Sequence, residues 1–183
     1  PELAERMRIY EVDQPGPQAW KQQRLGEMGR AIPDRLKFVP VDFEAGDSWW
    51  EKLVAGGFDT ARPAMVASTG VSMYLTRDAV AATLRQIATL AAGSTLAMTF
   101  LLPLELIDVE ERAQHQAVYE RARAAGTPFQ SFFAPDEMLK LALEAGFRQA
   151  RHVSTADLID RYFADRTDGL RPSSGESILV AGT

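Results

Sequence analysis

Short apolar runs alternate with longer stretches in which apolar residues recur at helical spacing, a pattern that predicts an α/β protein. Residues 8–12 read as a first strand, ending in Glu11-Val12-Asp13-Gln14-Pro15, where Pro15 and Pro17 stop its continuation. Residues 18–29 read as a helix rich in Lys, Arg, Gln and Glu, closed by Gly29. A second strand at 36–41 carries Asp42 and Phe43 at its carboxyl end, and a short helix at 48–55 is broken by Gly56-Gly57. In the third strand, 63–68, the run Ala64-Met65-Val66-Ala67 predicts burial on both faces, as in a parallel sheet. Thr76 is placed to cap a helix over 77–91, in which Val80, Leu84, Ile87 and Leu90 share one face. A fourth strand follows at 94–101. Helices are expected at 109–125, 136–144 and 156–164, and further strands at 147–153 and 177–181.

This order describes a doubly wound sheet, and ligands of such sheets bind beyond the carboxyl ends of the strands. Glu11, Asp13, Asp42, Phe43 and the turn from Ser68 to Tyr74 are therefore the site candidates. A carboxylate ending a strand can accept hydrogen bonds from two ribose hydroxyls, a role open to Asp13 or Glu11; Asp before Gln-Pro is equally a good turn residue. Asp42 can accept from an exocyclic amine while Phe43 covers a ring, or the two are an ordinary strand-end Asp and a core Phe. In Thr69-Gly70-Val71-Ser72-Met73-Tyr74, Gly70 permits close backbone approach to a ligand, and the rival role is a plain strand-to-helix turn.

Composition narrows the classes. At 183 residues, with 46% apolar and 25% charged residues and a net charge of -5, the chain has the balance of one soluble globular domain without a nucleic-acid footprint. It holds no cysteine, and its two histidines, His115 and His152, are far apart in sequence, so no metal site is expected. The missing cysteines fit a reducing cytoplasm. No apolar run reaches the ~20 residues of a membrane helix. His115 lies in a charged helix and is expected to be exposed, His152 in a strand with a satisfied structural role; either is chemically able to serve as a general base. The adjacent Trp49 and Trp50 cannot share a helix face. The Glu110, Glu111, Arg112, Glu120, Arg121 region reads as a solvated surface.

Several segments together resemble the leucine carboxyl methyltransferase-like family, in its bacterial S-adenosylmethionine-dependent branch: residues 11–15, Phe38-Val39-Pro40-Val41-Asp42-Phe43, Gly70-Val71-Ser72-Met73-Tyr74-Leu75-Thr76, Pro128-Phe129-Gln130-Ser131-Phe132-Phe133 and the tail from 156 to 183. The resemblance implies a Rossmann-like class I methyltransferase fold, a doubly wound, mostly parallel sheet with an antiparallel strand near the C-terminus, in one domain over 1–183. It implies S-adenosylmethionine as cofactor, with Asp13 on the ribose, Asp42 and Phe43 around the adenine, and Glu11, Thr69 and Gly70 near the cofactor. Met73 and Tyr74 fall to the acceptor pocket. Thr69 stands where many relatives carry a glutamate, which argues against simple transfer of a protein-carboxyl substrate. The family places a glycine-rich loop before the strand ending in Asp13. Here only seven residues precede Arg8 and none is Gly, so this sequence lacks that N-terminal strand and loop and is expected to be about the C-terminal two-thirds of a longer product. The expected reaction is O-methylation of a small-molecule carboxylate or hydroxyl, with homo-oligomerisation left open. The rival expectations are a catalytically inactive binding or assembly module and a nicotinamide-dependent oxidoreductase.

Overall fold

The computed structural model describes residues 7–42 and 45–183. The chain divides into two compact units, Pro1–Thr60 and Ala61–Thr183, each with its own sheet.

In the first unit, β1 (Ile9–Asp13) and β2 (Leu36–Pro40) pair in parallel, with Ile9 opposite Leu36 and Asp13 opposite Pro40. Helix α1 (Pro15–Glu27) joins them. It begins three residues earlier than its pattern suggested, because Pro15 does not break the helix but starts it: at the first helical position its fixed φ is favourable and its missing N–H would be unpaired anyway. Helix α2 (Trp49–Ala55) is capped by Ser48, whose Oγ accepts the Glu51 N–H at 3.2 Å. Val39, Val41 and Leu53 are buried together, with Tyr10, Val12, Trp49 and Phe58 packed against them. The two indoles meet edge to face at 5.4 Å, and both are only half-buried.

The second unit holds β3 (Met65–Ser68), β4 (Thr95–Leu101), β5 (Gln149–Val153) and β6 (Glu176–Gly182) in the order β3-β4-β6-β5. β3 and β4 are parallel, and β6 runs antiparallel to both β4 and β5. Alternation along β4 sends Leu96, Met98 and Phe100 to one face, and Met98 is level with Leu179 on β6 and, through it, with His152 on β5. That face is the core side. Leu96, Met98, Phe100 and Leu179 are at most 1% exposed, as are Val80 and Leu84 of α3 (Arg77–Ala88) and Met138 and Ala142 of α5 (Pro135–Ala145). Thr76 caps α3 through its Oγ1, and α5 ends on Gly146 at φ 111°, a left-handed position that suits glycine.

The opposite face is different. Met65 and Ala67 share it with Thr95 and Ala97, and Met65 is 69% exposed. The expectation that the apolar run of β3 signals burial on both faces is therefore corrected: among the described residues β3 pairs with β4 alone, and only its inner side is covered. The expected helix at 156–164 is also revised. A four-residue α6 (Thr155–Leu158), closed by a Ser154–Asp157 capping box, widens into a π-helical turn over Ile159–Phe163. The remaining helix, α4 (Val109–Ala124), and the 3-10 turns at Ser72–Tyr74 and Leu104–Leu106 complete the unit. Among the described residues no helix is long and apolar enough to cross a membrane.

Candidate functional site

The candidate residues fall into clusters at the carboxyl ends of the parallel strands, as the topology requires. In the first unit the ends of β1 and β2 adjoin: the Val41 N–H donates to the Asp13 carbonyl at 2.9 Å. Asp13 is half-buried, and its Oδ1 accepts the Gln14 N–H at 2.7 Å. That bond orients the carboxylate and leaves Oδ2 without a hydrogen-bond partner among the described residues. Asp42 follows β2 directly and organises its own turn, with Oδ1 accepting the Ala45 N–H and its backbone N–H donating to Asp47 Oδ2, both at 3.0 Å. The Asp47 carboxyl is held below its ordinary range, first by the hydrogen bond from Lys52. Glu11 does not stand with Asp13 at the strand end. Its Oε1 receives Lys21 Nζ of α1 at 2.8 Å, and Gln18 Nε2 donates to its carbonyl at 2.7 Å, so Glu11 fastens the helix to the strand. Phe43 lies outside the described residues.

In the second unit the turn after β3 is stitched to the rest of its unit on both sides. The Gly70 N–H donates to Thr99 Oγ1 at 2.9 Å, and Ser72 Oγ donates to the Thr99 carbonyl at 2.7 Å. Gly70 sits at φ 69°, which lets the chain reverse here without strain. From the other side, the Gln130 N–H donates to the Met73 carbonyl at 2.7 Å, Gln130 Nε2 to the Tyr74 carbonyl at 2.6 Å and Ser131 Oγ to the Ser72 carbonyl at 2.8 Å. The segments 70–75 and 128–133, more than fifty residues apart in sequence, are thus two halves of one platform. Met73 is buried beneath it, whereas Tyr74 is 45% exposed and meets Phe129 edge to face at 5.4 Å. Thr69 is exposed. Met73 therefore supports the turn rather than lining a pocket, and Tyr74 is the residue that presents a surface. Thr99 carries no signal of its own in the sequence, and Gln130 and Ser131 enter there only within the family-like segment 128–133, because only the folded chain reveals what they hold.

A further cluster differs from the solvated surface its charges suggest. Glu111 and His115 on α4 are not solvated: their side chains are 17% and 16% exposed. Glu111 Oε2 accepts the Ser174 N–H at 2.9 Å and the hydroxyls of Ser173 and Ser174 at 3.0 Å each, while Arg171 reaches Oε1 at 3.4 Å. His115 Nε2 lies 2.7 Å from Ser173 Oγ. Helix α4 half-buries Glu111 and His115 rather than an apolar stripe, so its pattern does not announce the contact. His152 also departs from expectation, since its Nε2 is buried without a hydrogen-bond partner among the described residues.

The bonds to Glu111 have a consequence for stability. Its carboxyl is held below the ordinary value of 4.5, chiefly by the Ser174 N–H; burial opposes this, and the Ser173 and Ser174 hydroxyls and the Arg171 charge add to it. A carboxylate with a depressed native pKa contributes stability that is fully present above its unfolded pKa and is lost as pH falls through the native value. Urea midpoints measured from pH 7 to pH 3 should therefore fall below about 4.5 in the parent, and Glu111→Gln should flatten that acid limb. An unchanged limb would remove Glu111 from the account.

Residues 1–88 match the family model described as leucine carboxyl methyltransferase. Over 173 residues the chain is 29% identical to "Putative S-adenosyl-L-methionine-dependent methyltransferase YktD" of Bacillus subtilis, covering 93% of this chain and 56% of that protein. A protein of the same description from Mycolicibacterium gilvum is 29% identical over 183 residues, covering 96% of this chain and 58% of its own length. The chain thus spans little more than half of these curated relatives. Among solved structures, a "putative methyltransferase" from Thermobifida fusca superposes with a TM-score of 0.63 at 22% identity, covering 96% of this chain and 63% of that one. A duf574 family protein from Streptomyces avermitilis superposes with a TM-score of 0.59 at 18% identity, covering 96% and 65%. These likenesses establish the α/β class I methyltransferase fold.

Proposed function

From its kinship with the leucine carboxyl methyltransferases, whose family model residues 1–88 match, we propose that this chain is the greater part of an S-adenosylmethionine-dependent methyltransferase that methylates an oxygen of a small molecule. The observation that carries the reading is the pairing of β1 with β2, which sets Asp13 and Asp42 side by side at the carboxyl edge of a parallel sheet. Asp13 fits a ribose: its Oδ1 is fixed by the Gln14 N–H while Oδ2 remains to accept a hydroxyl. Asp42 fits the adenine amine, at the end of the next strand. When bound, S-adenosylmethionine supplies a methyl group on a sulfonium. Such a transfer needs approach and alignment more than proton movement. Within the second unit, the platform of 70–75 and 128–133 fixes the backbone that carries Tyr74 at the end of β3. A carboxylate acceptor needs no base, and no histidine is assigned as one.

The test is calorimetry with S-adenosylhomocysteine, on this chain and on the protein extended upstream to its start codon. Saturable binding by either form is expected, with Asp13→Ala weakening it at least tenfold, since a hydrogen bond to a charged group contributes about 1.5–3 kcal/mol. Binding by neither form would end the methyltransferase reading and favour a binding or assembly module.

A further inference from the structure

The sheet face opposite the core carries a cleft of about 430 Å³, within the range of small-molecule sites. Its floor is a row set by strand register: Ala97 on β4, Val180 on β6 and Arg151 on β5 stand level across the sheet, and Ile178 stands two residues along β6 on the same face. The wall comes from the segment after β5. There α6 opens into the π-helical turn, and Arg161 and Tyr162 on that turn line the cleft, with the Arg161 guanidinium 5.7 Å from the Tyr162 ring centre. π-helical turns cost hydrogen-bond geometry and concentrate at functional sites.

The charges in this cleft are unbalanced. Of its three ionisable residues other than His152 and Tyr162, Arg151 and Arg161 are cations and Asp157 is the anion. The Asp157 Oδ2 is committed to the Ser154 N–H at 2.8 Å and the Ser154 hydroxyl at 2.7 Å, closing the start of α6. Neither guanidinium has a hydrogen bond or ion pair to a carboxylate among the described residues, although Arg151 lies near enough to Asp157 to favour its charged form, after the bonds from Ser154. An arginine level with Val and Ala on a sheet face places a forked, permanently charged donor beside apolar surface, an arrangement suited to a ligand that is anionic at one end and apolar along its body.

We propose that this cleft binds a small amphiphilic carboxylate, its acid group taken by Arg151 and Arg161 and its apolar body laid on Ala97, Ile178 and Val180. The site does not depend on the methyl-transfer reading: it uses no residue assigned to the cofactor, and its test contains no cofactor.

Decanoate and decan-1-ol, probes of the same chain length and opposite charge character, are titrated by calorimetry into the protein at pH 7. One saturable decanoate site is expected, with decan-1-ol at least tenfold weaker. Arg151→Gln/Arg161→Gln should bring decanoate down to the level of the alcohol, while Arg85→Gln, an exposed cation on α3, should bind decanoate as the parent does. Surface substitutions of this kind leave the fold within about 0.5 kcal/mol, which a thermal melt of each variant verifies. Equal affinity for acid and alcohol, the absence of saturable decanoate binding, an unaffected double variant, or an equal loss in Arg85→Gln would each overturn the site.

Discussion

Phe100→Ala should lower stability by about 3–5 kcal/mol, among the largest effects expected of a single side chain in the second unit. Phe100 is 1% exposed on β4, on the face it shares with Leu96 and Met98. The residues around that face are already at their limits: Leu96, Leu179, Val80, Leu84 and Met138 show no exposed surface, so none has slack with which to collapse into the space. The backbone beneath is held by β6 through the whole length of β4, from Thr95 opposite Gly182 to Leu101 opposite Glu176, which prevents the strand from closing the gap. A cavity therefore remains and its cost adds to that of lost burial. For a chain of this size such a loss corresponds to a fall of about 6–20 °C in the melting midpoint. Phe100→Leu, which nearly conserves volume, should cost less than about 1.5 kcal/mol. Far-UV circular dichroism is the proper readout, because Trp20, Trp49 and Trp50 all lie in the first unit and their fluorescence would not follow β4. A loss below 1 kcal/mol would mean that the face rearranges, and the unpaired His152 Nε2, whose ring centre is 6.1 Å from that of Phe100, is where a water entering the space would bind.

What the sequence disclosed follows from which physical signals are local. Strands β1 to β6 are legible as short apolar or alternating runs between turn residues, and the helices at 77–88 and 135–145 because apolar residues recur along them at about 3.6 residues. Caps are legible too: Thr76 and Gly146 act where their chemistry predicts. The misread features depend on partners far away in sequence. Nothing in Ala64-Met65-Val66-Ala67 states how many strands will flank it, and with β4 alone beside it Met65 stays open to solvent. The grouping of the strands as β1-β2 and β3-β4-β6-β5 was not legible either, because element order does not fix pairing. At the candidate site, Asp13, Asp42, Gly70 and Tyr74 were readable as strand-end residues. The different tasks of Glu11 and Met73 were not, since Glu11 is distinguished from Asp13 only by Lys21 lying across from it, and Met73 from Tyr74 only by which side of the turn faces inward.

The same limit hid the clasp between α4 and the loop before β6, and this clasp makes a strong prediction at a glycine. A Cβ added at Gly175 would stand 2.6 Å from His115 Nε2 and 2.7 Å from Nδ1, far inside van der Waals contact. The imidazole lies against this backbone because Ser173 holds Nε2 on one side and Tyr119 meets the ring at 6.0 Å on the other. To make room the ring must leave, which abandons the bond to Ser173 Oγ and disturbs the hydroxyl that also serves Glu111. Gly175→Ala should therefore cost about 1–3 kcal/mol, the usual range for overpacking. A glycine-to-alanine change that lacked this contact would be neutral or mildly stabilising, through the smaller entropy of the unfolded chain. His115→Ala alone loses one hydrogen bond and the ring's packing. In the double variant the clash has no partner, so the two losses should fall short of additive by about 1 kcal/mol or more. Additivity across that cycle would show that the ring leaves Gly175 freely. The clasp would then consist of Glu111 and the two serines alone, with the histidine lying over it as a passenger.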